Sequence, residues 1–95
     1  MTYEWDAEKA RSNLRRHRIS FEIAQDVFSD PLRVAGIDSR SEYGEERWWV
    51  LGHAHSVLVF VIYTERAAST RIISARKATR HERRRYEAGD ADASV

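Results

Sequence analysis

Apolar residues recur at helical spacing at both ends of the chain and at strand spacing in the middle. Residues 2–5 alternate weakly and predict a short first strand. Asp6 stands where it can cap a helix over residues 7–17, with Ala7, Ala10 and Leu14 on one stripe and Lys9, Asn13 and His17 on another. Arg18 and Ile19 make a short break. Ser20 then caps a second helix with Phe21, Ala24, Val27 and Phe28 on its core face, and Asp30-Pro31 stops it because proline cannot continue the turn.

From residue 33 the pattern becomes extended. Residues 33–38 predict a strand weakened or bulged by Gly36. A polar turn follows at 39–45, then a strand at 47–51 whose adjacent Trp48 and Trp49 must face opposite sides of the sheet. Residues 52–56 read as a hairpin loop. Residues 57–63 are apolar at every position, the mark of a central strand covered on both faces. After a turn at 64–69, residues 71–76 predict a fourth meander strand, with Ile72, Ser74 and Arg76 on one face and Arg71, Ile73 and Ala75 on the other. Thr79 and Glu82 have capping-box spacing, opening a helix that runs to about Ala88 and stops at Gly89. The expected fold class is α+β: a short N-terminal strand, two helices, an antiparallel meander of about four strands, and a C-terminal helix.

At 95 residues there is room for one domain, expected over residues 1–89, with 90–95 as a frayed tail. The balance of 42% apolar to 33% charged residues is too apolar for a disordered chain. The longest apolar run falls far short of the roughly 20 residues that cross a bilayer, and the N-terminus lacks the pattern of a secretion signal. With no cysteine, disulfides, thiolate zinc sites and a cysteine nucleophile are excluded. The expectation is a small cytoplasmic protein.

Net charge is only +1, but it is segregated. Residues 1–21 sum to +2, residues 22–66 to −4, residues 67–86 to +6 and the remainder to −3. Fourteen of the sixteen cations are arginine, which grips phosphate or carboxylate with paired hydrogen bonds. A concentrated basic block in a near-neutral whole points to a local anion-binding face; the bland alternative is a solvated arginine-rich helix.

No glycine loop for phosphate and no Gly-x-Ser-x-Gly elbow is present. His53 and His55 have a spacing usable for zinc, but no third ligand accompanies them, so they read as loop histidines. RNA, however, carries its own nucleophile in the 2′-hydroxyl. Its cleavage needs a base, cations around the phosphate and an acid for the leaving oxygen. Arginines meet the second need; histidine, or a glutamate or tyrosine of shifted pKa, meets the others. Glu82 and Tyr86 share a helix face, and Glu82 is also claimed by the capping box. Arg47 either points into the same concavity or pairs with Glu45 or Glu46. Trp5 is expected in the core, and the less buried of Trp48 and Trp49 is free to stack a base.

Taken in order, Trp5-Asp6 with Lys9, Asn13 and His17, Ser20-Phe21-Glu22, Val27-Phe28, Asp30-Pro31, Glu46-Arg47 and Arg71-Ile72-Ile73-Ser74-Ala75-Arg76 with Glu82-Arg83 and Tyr86 resemble the BrnT family of ribonuclease toxins. The resemblance spans about residues 3–86. Ile23 departs from it where a second acid is expected, and the shortened loop at 52–56 leaves His53 and His55 outside it. The resemblance implies a RelE-like fold, translation inhibition through RNA cleavage, and a BrnA-type antitoxin that neutralises the nuclease and supplies the DNA-binding part of a repressor complex. It also implies involvement of Lys9, His17, Arg47, Arg76, Glu82 and Tyr86.

The resulting expectation is a metal-independent endoribonuclease without cofactor. Arg47 and Arg76 stabilise the phosphate, and His17, Glu82 or Tyr86 moves protons. Lys9, Arg71, Arg80 and Arg83 hold flanking RNA. A homodimer within a toxin–antitoxin complex and no membrane association complete the picture. The rival is a non-catalytic module whose basic face docks RNA or an acidic partner segment. A repressor acting alone is disfavoured by the short basic helix and the lack of a helix-turn-helix pattern. The nuclease reading requires distant guanidiniums to converge in one pocket beside a proton-transfer group, and it fails if Arg47, Arg76 and His17 lie scattered over opposite sides of the molecule.

Overall fold

The computed structural model describes residues 2–39 and 44–89. The expected tail at 90–95 and part of the expected turn at 39–45 lie outside the described residues. The chain runs β1 (Thr2–Glu4), α1 (Ala7–His17), α2 (Phe21–Ala24) continued by a 3₁₀ turn (Gln25–Ser29), β2 (Val34–Ile37), β3 (Trp48–Ala54), β4 (Val57–Arg66), β5 (Ser69–Lys77) and α3 (Arg80–Ala88). The five strands form one sheet in the order β1-β5-β4-β3-β2, with β1 parallel to β5 and every other pair antiparallel. This is the expected α+β architecture. Among the described residues no helix is long and apolar enough to cross a membrane.

The caps act as their residue types dictate. Asp6 and Ser20 accept the Lys9 and Ile23 amides at 2.9 and 3.1 Å, and both halves of the Thr79–Glu82 box are made. The second helix tightens to 3₁₀ after Ala24, earlier than its apolar spacing suggests. The hairpin expected at 52–56 is shorter: β3 continues to Ala54, and His55 and Ser56 alone turn the chain, both at positive φ as a two-residue hairpin of matching twist requires. Likewise β4 runs on to Arg66, leaving Ala67 and Ala68 to turn.

Both faces of the sheet are covered, as the unbroken apolar run in β4 requires. One carries Val50, Ala54, Val59, Val61, Ile72 and Ala75 beneath α1, α2 and the 3₁₀ turn, with Ile19, Phe21, Ala24 and Val27 packed in. Trp5 joins this side, edge-on to Phe21 at 5.9 Å. Gly52 is buried here because a Cβ would meet the Val27 side chain and carbonyl at 3.0 and 3.1 Å. The other face holds Val34, Trp49, Leu51, Leu58 and Ile62, with Ala78 just after β5 and Tyr86 of α3 packed against them.

The strict alternation expected along residues 71–76 is interrupted. Tyr63 pairs with Ile72 and Ile62 with Ser74, so Ile73 is an inserted bulge residue. Ile72 and Ala75 therefore share the α1 face, Ile73 turns to the α3 face, and Arg76 follows Ala75 on the α3 side.

Asn13 holds this strand. β1 pairs only with residues 69–71 of β5, which leaves the outer edge of Ala75 without a strand. The Asn13 side chain fills the gap: its Oδ1 accepts the Ala75 amide at 3.1 Å, and its Nδ2 donates to the Ala75 and Ile19 carbonyls at 2.8 and 3.0 Å. Asn13 is buried, so the inward stripe of α1 runs through Ala10 and Asn13, while Leu14, expected on the apolar face, is 47% exposed. Neither a solvated nor a phosphate-facing role fits it. Asn13→Ala strands three backbone groups and is expected to destabilise the fold by about 2–4 kcal/mol, read as a lower urea midpoint at unchanged slope.

Candidate active-site cleft

Because Arg76 leaves β5 on the α3 face, it meets the start of α3. Glu82 at the third position of that helix accepts the Thr79 amide at 2.9 Å and also takes both Arg76 terminal nitrogens, Nη1 on Oε1 and Nη2 on Oε2, each at 2.9 Å. Burial opposes ionisation of Glu82, but the Arg76 and Thr79 hydrogen bonds outweigh it and hold the carboxyl below its ordinary value. Glu82 is thus a fixed anion that orients Arg76.

Beneath lies an aromatic floor. Trp49 and Phe60 stack with centroids 6.0 Å apart and planes 17° from parallel. The Arg76 guanidinium sits 4.4 Å above Phe60 and that of Arg85 sits 4.5 Å above Trp49. Gly36 of β2 makes room for the indole, since a Cβ there would come within 2.8 Å of it. The cleft so formed, about 230 Å³, is lined by Trp49, Leu51, Phe60, Arg76, His81, Glu82 and Arg85, together with Ile37, Asp38 and Ser39.

The other expected site residues are distributed as follows. Arg47 is half-buried 4.0 Å from Glu45 and lines a second depression that shares Ile37, Asp38 and Ser39 with the cleft. Arg80 and Arg83 are exposed on α3. Arg71 is tied to Glu4 at 2.9 Å near the β1 edge. Lys9 and His17 are on α1, which packs on the opposite face of the sheet from α3. Arg76 and Glu82 are brought together, Arg47 lines the neighbouring depression, and His17 lies on the helix across the sheet, so the expected convergence of Arg47, Arg76 and His17 in one pocket is not met. The imidazole that lines the cleft is His81, which sequence reasoning did not single out.

Tyr86 faces away from the cleft, into a clasp. Its hydroxyl donates to Asp30 Oδ2 at 2.7 Å, and His53 Nδ1 lies 3.2 Å from the Tyr86 hydroxyl oxygen. Asp30 also accepts the His53 and Leu32 amides at 2.8 and 2.9 Å. Burial pushes Tyr86 up to about 12, with the hydrogen bond and charge of Asp30 adding to it. For Asp30 burial acts upward, yet the bonds from His53, Tyr86 and Leu32 win and hold the carboxyl below its usual value. Tyr86 therefore keeps its proton at neutral pH and fastens α3 to the loop after the 3₁₀ turn.

His53 belongs to β3 and turns to this clasp, whereas His55 in the turn bonds Asp26 at 2.8 Å, so the two imidazoles do not share a site. Among the described residues no group of three or more histidine and acidic side chains is arranged to hold a metal ion.

Two guanidiniums laid on one aromatic floor, with an imidazole lining the same cleft, are groups of the kind that can receive a phosphate or similar anion. The comparison with known families agrees with that reading. Residues 5–82 match the model for the ribonuclease toxin BrnT of type II toxin–antitoxin systems, and the chain belongs to that family. Membership brings an RNA substrate and an antitoxin partner. No curated protein matches the chain.

The clasp makes stability depend on pH at both ends. Asp30 and Glu82 are held low in the folded state, so their contribution is present above their unfolded values near 4 and is lost as pH falls through the folded ones. Tyr86 is held high, so its contribution is present below pH 10 and is lost as pH rises towards 12. Tyr86→Phe is expected to remove much of the alkaline loss and to cost about 1–2 kcal/mol at neutral pH. Asp30→Asn is expected to flatten the acid limb. Urea unfolding across a pH series checks both.

Proposed function

We propose that the chain is a metal-independent endoribonuclease acting in the cytoplasm, and that the cleft beside α3 is where it cuts RNA. The observation that supports this most is the placement of Arg76 and Arg85 on the Trp49–Phe60 floor with His81 beside them. The 2′-oxygen attacks phosphorus, a bond forms between them, and the bond to the 5′-oxygen breaks, giving a 2′,3′-cyclic phosphate and a 5′-hydroxyl. Neutral His81 accepts the 2′-hydroxyl proton, and water at the open mouth protonates the leaving oxygen.

Arg76 and Arg85 take the charge that grows on the non-bridging oxygens. Glu82 uses the end of the Arg76 fork, which leaves Nε and a second Nη2 proton for phosphate. Glu82 and Tyr86 position groups in this scheme and move no proton. Arg47 receives a neighbouring phosphate, and Arg80 and Arg83 hold flanking backbone. Lys9, His17 and Arg71 are left outside the cleft. Cutting messages stops translation, a BrnA-type antitoxin neutralises the enzyme, and contact with DNA belongs to that antitoxin.

The Arg76–Glu82 pair also favours a second reading, in which the guanidinium is already neutralised and the face binds RNA without cutting it.

Antitoxin-free protein incubated with end-labelled RNA in EDTA decides between them. Cleavage should persist, yield the cyclic phosphate, and stop when the 2′-hydroxyl at the cut site is removed. Arg76→Ala and His81→Ala should each slow it by about 100-fold or more. Loss of cleavage in EDTA would sink metal independence, and a larger effect of His17→Ala than of His81→Ala would move the chemistry to the other face. Salt-sensitive binding with no product from any RNA would select the second reading.

A further inference from the structure

The outermost strand, β2, has a second edge against which no strand lies among the described residues. Asp38 donates its amide to the Arg47 carbonyl at 2.8 Å, which fixes the phase of the ladder between β2 and β3. In an antiparallel pair the bonded residues alternate, so Gly36 and Val34 also point their peptide groups at β3. Those of Ala35 and Ile37 point outward, where the sheet order places no further strand among the described residues. Both residues are exposed.

Edges of this kind are commonly blunted by a charge or a proline within the strand. β2, Val-Ala-Gly-Ile, has neither. Ile37 is 58% exposed, and Leu32, two residues before the strand, is 69% exposed. The opposite edge differs: β1 is three residues long and ends on Glu4, which is paired with Arg71. An apolar rim with open peptide groups suits an extended polypeptide better than a nucleic acid. Beyond Ile37 the chain continues into Asp38 and Ser39, which line the cleft together with Arg76 and Arg85 of the stretch carrying +6.

We propose that the antitoxin adds a strand to the outer edge of β2. Its segment is apolar where it lies against Ala35 and Ile37, and acidic where it continues over Arg76, Arg80 and Arg85, closing the cleft to RNA. Main-chain bonds provide the docking, and charge provides the direction. The inference uses the antitoxin that the family membership brings and does not depend on how the cleft works.

Ala35→Pro tests it. The proline removes an amide that points away from β3, leaves the ladder bonds of Val34, Gly36 and Asp38 intact, and is a substitution edge strands accept. The probe is the antitoxin from the co-expressed complex, separated and titrated back by calorimetry. Ala35→Pro should raise Kd at least ten-fold, while Ala35→Ser, which keeps the amide, should stay within two-fold. Ile37→Asp leaves the backbone unchanged and should also weaken binding at least ten-fold, which keeps the idea testable if the proline variant fails to fold. Binding within two-fold of wild type in a folded Ala35→Pro protein, or in Ile37→Asp, overturns the proposal. So does a free protein that sediments as a dimer and becomes monomeric in Ala35→Pro, since the edge would then belong to a second copy. All readouts are of association, so a chain that cuts no RNA leaves the result interpretable.

Discussion

One carboxamide ties α1 to the sheet at the point where β1 ends. The Asn13 side chain does for Ala75 what a neighbouring peptide would do, giving and accepting a hydrogen bond where β1 no longer reaches. Its second donor bond, to Ile19, fixes the exit from α1 at the same time. Placed just past the Ile73 bulge, this pin sets Ala75 inward, and the next side chain, Arg76, must then emerge on the far face. The direction of the arginine in the cleft is thus decided from the other side of the sheet, by a residue that does not line the cleft.

Around Arg76 the electrostatics are arranged to spend little on reorganisation. Glu82 is engaged by the helix cap as well as by the guanidinium, so its position is determined before any ligand arrives. The planar cations rest on rings and use their stacking faces there, keeping their edges for hydrogen bonds. Helix α3 has no fully buried residue, and its seat depends on these contacts and on the Tyr86 clasp.

The sequence made the element order and the capping legible because these depend on neighbours three or four positions away. Asp6, Ser20 and Thr79 act as their types require, and the apolar run of β4 is covered on both sides. The facing of β5 was not legible, since nothing local announces the insertion at Ile73. Asn13 looked like part of a polar stripe because a hydrogen bond between residues 62 positions apart has no local signature. The Arg76–Glu82 contact lay within reach of short-range reasoning. His81, Arg85 and Asp30 were visible as residues, but their roles come from the crossing of α3 over β3 and from the loop that brings Asp30 to Tyr86. For the same reason His17, an apt residue type in an apt segment, ended on the opposite side.

Gly36 joins two features that would otherwise be separate. The indole of Trp49 rests against its bare backbone, and that backbone belongs to the outermost strand. The platform under Arg85 is therefore seated directly on the rim of the sheet, with no intervening layer. Any side chain at position 36 would have to displace that platform, because an added Cβ comes within 2.8 Å of the indole, so the rim tolerates no residue larger than glycine there.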